Sequence, residues 1–183
     1  MAFQRTVKFL PVALLLLRAA AAEAAPGSPA IQLSPVFREL ARASKYIFIG
    51  TVISVRESPR GSNAIPTVEV TFRVEKSLRG VRTGQPFKIR EWAGLWESAQ
   101  QYRPGERLLV FLYPESKLGL TSIAGEPPGR IRADSGGRFL LSSAQYAAWF
   151  HHGRSESVLA PRTPRLTQRQ LSNAVLRAFR EPK

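Results

Sequence analysis

Between Thr67 and Glu75 every second residue is apolar: Val68, Val70, Phe72 and Val74 fall on one side, Glu69, Thr71, Arg73 and Glu75 on the other. A side-chain period of two belongs to a pleated strand, so this segment predicts an antiparallel strand with one buried face and one wet face. Such a strand needs neighbours, because its backbone donors and acceptors otherwise stay open at an edge. The chain offers several. Ile47, Ile49, Thr51, Ile53 and Val55 share one face of the stretch Tyr46 to Val55, while Phe48, Gly50, Val52 and Ser54 share the other. Apolar residues on both faces predict a largely buried strand, with a bend or bulge at Gly50. Phe87 and Ile89 alternate with Lys88 and Arg90, and Arg107 to Tyr113 is a continuous apolar run that suits a central strand. Shorter strands are expected at 119–123, 129–133 and 137–141, between Gly- and Pro-rich turns.

Helices are fewer. Ser34-Pro35 supplies an N-cap followed by proline at the first helical position, and Phe37, Leu40, Ala41 and Ser44 recur at helical spacing, predicting a short helix over 34–44. Ser142 with Gln145 resembles a capping box ahead of Tyr146, Trp149 and Phe150. Thr167 with Gln170 forms a second box, before a stripe of Leu171, Ala174, Val175, Ala178 and Phe179 that ends at Pro182. That stripe suits docking on the β-domain or on a partner.

Short strands separated by turn-rich loops favour a closed or nearly closed antiparallel barrel. The expected fold is all-β with peripheral helices: an OB-like antiparallel barrel of five or slightly more strands, a short N-terminal helix and a C-terminal amphipathic helix. Three segments carry a resemblance: Ile47-Phe48-Ile49-Gly50-Thr51-Val52, Val70 to Gly80 with its V-x-K-x-x-x-G ending, and Tyr102-Arg103-Pro104-Gly105-Glu106-Arg107-Leu108-Leu109-Val110-Phe111. In this order they resemble the OB-fold of tissue inhibitors of metalloproteinases and netrin-like modules, over residues 45–113 and more loosely to 141. The resemblance implies a fold. It does not carry over that family's inhibition, in which a mature N-terminal cysteine chelates the protease's zinc, because this chain has no cysteine.

The start of the chain reads as an address. Arg5 and Lys8 precede the apolar run Phe9 to Leu17, and small residues follow from Ala19 to Ala25, which is the layout of a secretory signal with cleavage after Ala22 or Ala24. The apolar run is too short to span a bilayer, which needs about 20 residues. The expected organisation is therefore a signal peptide at 1–25, a flexible lead-in at 26–33, a barrel domain at 34–142 and a helical extension at 143–183 with a linker at 151–165. Export would place the chain in the periplasm or outside the cell, with no transmembrane anchor after cleavage.

Lysine and arginine number 27 against 13 acidic residues, a formal charge of +14. Such a surplus promotes contact with polyanions, though it also describes an ordinary solvated surface. Catalytic signatures are absent from the sequence. Histidine occurs only as His151-His152, with no cysteine and no acid at ligand spacing, so no metal or other cofactor is expected. No serine sits in a G-x-S-x-G or S-x-x-K setting, and no glycine-rich phosphate loop occurs.

The stretch Arg79 to Arg103 stands out, since Arg79, Arg82, Lys88, Arg90 and Arg103 are interleaved with Trp92, Trp96 and Tyr102. OB barrels bind oligonucleotides or oligosaccharides through cations and stacking rings. The candidate binding face is Lys88, Arg90, Trp92, Trp96, Tyr102 and Arg103; the alternative is that the tryptophans plug the end of the barrel. Export argues against nucleic acid and for an anionic envelope glycan or a protein. The expectation is an exported, non-enzymatic binding module. A secreted protease inhibitor or hydrolase of unrecognised mechanism is the other reading, with Ser58–Pro66 and 93–103 as candidate inhibitory loops.

Overall fold

The computed structural model describes residues 32–58, 65–96, 101–125, 127–151 and 164–181. Ile31–Lys183 is one compact unit. The expected signal peptide, most of the expected lead-in and most of the expected linker at 151–165 lie outside the described residues.

The elements run β1 (Gln32–Leu33), α1 (Pro35–Ala43), β2 (Tyr46–Glu57), β3 (Thr67–Arg79), β4 (Pro86–Trp92), a 3-10 turn (Ala93–Leu95), β5 (Arg107–Leu112), β6 (Arg130–Ala133), β7 (Phe139–Leu140), α2 (Ser143–Trp149), β8 (Phe150–His151), β9 (Arg165–Leu166) and α3 (Gln168–Arg180). The architecture is mostly β, with helices at the periphery. Seven strands form one antiparallel sheet in the order β4-β3-β2-β5-β6-β7-β9, and β1 pairs separately with β8.

Each helix starts where its caps dictate. Ser34 accepts a hydrogen bond from the Phe37 amide at 3.1 Å, with Pro35 opening the first turn. Both capping boxes form, Ser142 with Gln145 and Thr167 with Gln170. These contacts satisfy amides that the helix itself leaves without acceptors. Gln145 does a second job, since its side-chain amide donates to Pro128 O at 2.8 Å and Arg130 O at 3.1 Å, anchoring α2 to β6.

The sheet buries both of its faces, because β2 and β5 are apolar on both sides. Ile47, Ile49, Leu109 and Phe111 meet the helices in one cluster with Phe37, Trp149, Leu171 and Val175. Phe48, Val52, Leu108, Val110 and Leu112 meet the inward row of β3 in the other, with Val68, Val70, Phe72 and Val74. Ring edges and faces interlock there, as in Phe48 against Phe72 at 5.2 Å and Phe72 against Tyr102 at 5.4 Å. The α3 stripe docks on the β-domain: Leu171, Ala174, Val175 and Ala178 are buried, and Phe179 lies at the margin.

The sheet does not close, and the five-stranded barrel is not formed. β6 continues outward to the two-residue strands β7 and β9 instead of returning to β4. Residues 119–123 do not make a strand; Ile123 forms one bridge with Leu112, and Thr121 N donates to Arg90 O at 2.8 Å. Bending is concentrated in β2, whose pairing with β3 shifts register at Ile47/Phe48, Ile49/Gly50 and Val52/Ser54. Gly50 sits in that bend, where a Cβ would lie 2.8 Å from Arg73 O.

Candidate functional site

Strand parity divides the candidate face. Along β4, Lys88, Arg90 and Trp92 point outward and are exposed, whereas Ile89 and Glu91 point inward and are buried. Across the ladder Thr71 faces Lys88, Glu69 faces Arg90 and Thr67 faces Trp92. Glu69 also faces Arg56 on β2, so a single carboxylate sits within a row of cations. Lys88 Nζ lies 3.2 Å from its Oε1.

Trp92 is 49% exposed. Its indole lies over Gly94, where an added Cβ would come within 2.4 Å of the ring. The missing side chain makes that seat, and about half of the Trp92 surface stays exposed. Arg103 is exposed on the turn before β5, its amide donating to Glu106 Oε2 at 3.3 Å.

Trp96 and Tyr102 are not on this face. They are 9% and 3% exposed, and both point into the core beside Phe72. Between them sits Glu91, wholly buried, accepting hydrogen bonds from Trp96 Nε1 at 3.1 Å and from the Tyr102 hydroxyl at 3.2 Å. The Arg130 guanidinium covers the Tyr102 ring at 5.2 Å and donates to Gln101 O at 3.1 Å. Burial pushes the Glu91 carboxyl up to about 7, against the pull of its two donors and the Arg130 charge. Burial and then the Glu91 charge raise the Tyr102 hydroxyl well above its ordinary range.

Sequence reasoning missed Glu91, although the signal was present. Residues 87, 89 and 91 share one parity, so a strand extended by two residues puts Glu91 on the face of Ile89. Its carboxylate is shut away from solvent and holds Trp96 and Tyr102, which flank residues 97–100 in the sequence.

The remaining cations of the stretch divide similarly. Arg79 is structural: it donates to Ala41 O and Arg42 O at 3.1 Å and covers the Phe179 ring at 5.0 Å. Arg82 is exposed. A cavity of about 160 Å³ opens beside Trp96, lined by Glu57, Ser58, Pro66, Thr67, Ala93 and Gln101 among others. The candidate inhibitory loops lie partly outside the described residues, at 59–64 and 97–100. Among the described residues, no three His, Cys, Asp or Glu side chains group as metal ligands, and no helix is long and apolar enough to cross a membrane. No protein-family model matches this chain, and no curated protein or solved structure is significantly similar to it.

Proposed function

We propose that this protein is an exported, non-enzymatic binding module that takes an anionic glycan on the outward face of β4. The observation that carries this reading is the alternation of Lys88, Arg90 and Trp92 along an edge strand, with the Trp92 ring seated on Gly94 and half-exposed. A flat ring stacks on a sugar, while neighbouring cations meet its carboxylates or sulfates. Arg56 and Arg73 extend the positive row across β2 and β3, and Arg103 belongs to the same basic surface character. The β2-β3-β4 meander with β5 beside β2 is compatible with an OB-like strand order, and OB folds bind oligosaccharides on a sheet face. The Arg- and Lys-bounded apolar run at 5–18 supports export.

The test is titration of the full chain with polygalacturonate at low salt and at ~0.5 M salt, where the screening length falls to a few Å. Binding that persists at high salt and weakens roughly tenfold or more in Trp92→Ala supports the reading. Binding that vanishes with salt and ignores Trp92→Ala reduces the face to general surface charge and overturns it. Retention of an envelope protein through Trp92, with no glycan binding, replaces the ligand class.

A further inference from the structure

Apart from the β4 face, α1 and the segment after β5 enclose a cavity of about 220 Å³. Val36, Glu39, Leu40 and Ala43 supply one wall, at the spacing that puts residues on a single helix face. Tyr113, Gly125 and Pro127 supply the other, and Trp149 contributes from the core. Gly125 keeps the opposing wall close, since a Cβ there would lie 2.7 Å from Leu40 Cδ1. Most of the lining side chains are apolar, although polar atoms make up nearly half of the cavity's surface, and Val36 and Tyr113 are 45% and 39% exposed at the mouth.

One charged group of this wall lacks a partner. Glu39 makes neither a hydrogen bond nor an ion pair among the described residues, although Arg38 and Arg42 stand on the same helix. Both of those cations are engaged by Glu181 instead, Arg38 through its carboxylate at 3.0 Å and Arg42 through its carbonyl oxygen at 2.6 Å. The other described carboxylates, apart from Glu57, all have a donor or a cation within reach. Glu39 is exposed at the rim of this cavity, so its carboxylate is free to pair with a cation there.

We propose that this cavity binds a small organic monocation with an apolar body, of the class of a hydrophobic primary amine. The body fills the space between Leu40, Pro127 and Trp149, and the ammonium group pairs with the Glu39 carboxylate at the mouth. Neutral and anionic molecules of the same shape gain the apolar contact and lose the charge pairing, so the site ranks ligands by charge at constant size.

The experiment is a ¹H–¹⁵N NMR titration of the full chain with benzylamine, benzyl alcohol and phenylacetate at equal ionic strength. Benzylamine is expected to shift the Trp149 indole signal and the amides of Val36, Leu40 and Gly125 saturably. It should bind roughly three- to five-fold more tightly than benzyl alcohol, the scale of a solvent-exposed ion pair, with phenylacetate weakest. Glu39→Gln should bring benzylamine down to the level of the alcohol. Ala43→Leu, which fills the cavity and keeps the carboxylate, should weaken all three probes. Equal binding of amine and alcohol overturns the proposal. So does an amine preference that survives Glu39→Gln, or shifts that spread over the acidic surface without saturating at Trp149.

Discussion

The indole N–H of Trp96 donates at 3.1 Å to the carboxylate of Glu91, and neither side chain belongs to the outer surface. A strand that shows lysine, arginine and tryptophan to solvent thus carries an acid on its hidden face, clamped between two aromatic donors. The consequence is a pH dependence with a definite sign. The folded protein releases the Glu91 proton at about 7, and an unconstrained glutamate releases it at 4.5. Between those values the folded state binds the proton and the unfolded state does not, so stability falls as pH rises through that window and levels off above it. The offset corresponds to about 3 kcal/mol at full effect. Glu115, held low by its hydrogen bond from Lys45, and Glu181, held low by Arg38, act the other way and below this window. Denaturant unfolding at pH 5, 6, 7 and 8 should therefore show a decline across the series that is absent in Glu91→Gln. The same slope in both proteins would assign the decline to other groups.

Glu69 lies between Arg56 and Arg90 in the ladder and within 3.2 Å of Lys88, making it the acid that tempers the proposed glycan face. Its removal should strengthen anion binding instead of weakening it. Glu69→Gln is expected to raise affinity for polygalacturonate roughly two- to five-fold at low salt, with most of the gain lost at ~0.5 M salt. An unchanged or reduced affinity at low salt would move the binding face away from β4.

Two glycines flank the turn between β3 and β4 with similar backbone angles and different surroundings. Gly80 has φ +75°, and a Cβ there would lie 2.3 Å from Lys45 O; Gly84 has φ +82° with nothing within 4 Å. Both substitutions carry the left-handed backbone cost of about 1–2 kcal/mol, but only Gly80→Ala must also displace a backbone carbonyl. Gly80→Ala should therefore destabilise by well over about 2 kcal/mol, and Gly84→Ala by about 1 kcal/mol. Comparable losses in denaturant midpoints would show that Lys45 moves aside freely.

Gly80 closes the V-x-K-x-x-x-G segment, so a motif visible in the sequence has a steric reason in the fold. What was legible elsewhere was of this local kind. The alternation at Val68, Val70, Phe72 and Val74, the two apolar faces of β2 and both capping boxes depend on neighbours a few residues away. Closure of the sheet depends on distant pairings, and β7 and β9 have only two residues each, too few for any periodicity to register. β9 begins at Arg165, which reads as the end of a linker until Phe139 is found opposite Leu166. The candidate site was divided for a related reason. Composition grouped Trp92 with Trp96, but strand parity exposes the first, and the turn after β4 folds the second inward beside Glu91.

The α3 stripe gives the last contrast, because it mixes residues that hold the helix down with one at the margin. Leu171 is fully buried among the helix-side cluster, while Phe179 is 37% exposed beneath the Arg79 guanidinium. Leu171→Ala removes packed methyls from an interior that cannot fully collapse, at a cost of about 2–5 kcal/mol. Phe179→Ala loses a partly wet ring and one cation contact, expected at about 1 kcal/mol or less. Thermal unfolding of the two variants should separate them by several degrees, with Leu171→Ala the lower. The reverse order would mean that α3 grips the sheet through its end near Arg79, and that its inner stripe contributes little to holding the β-domain together.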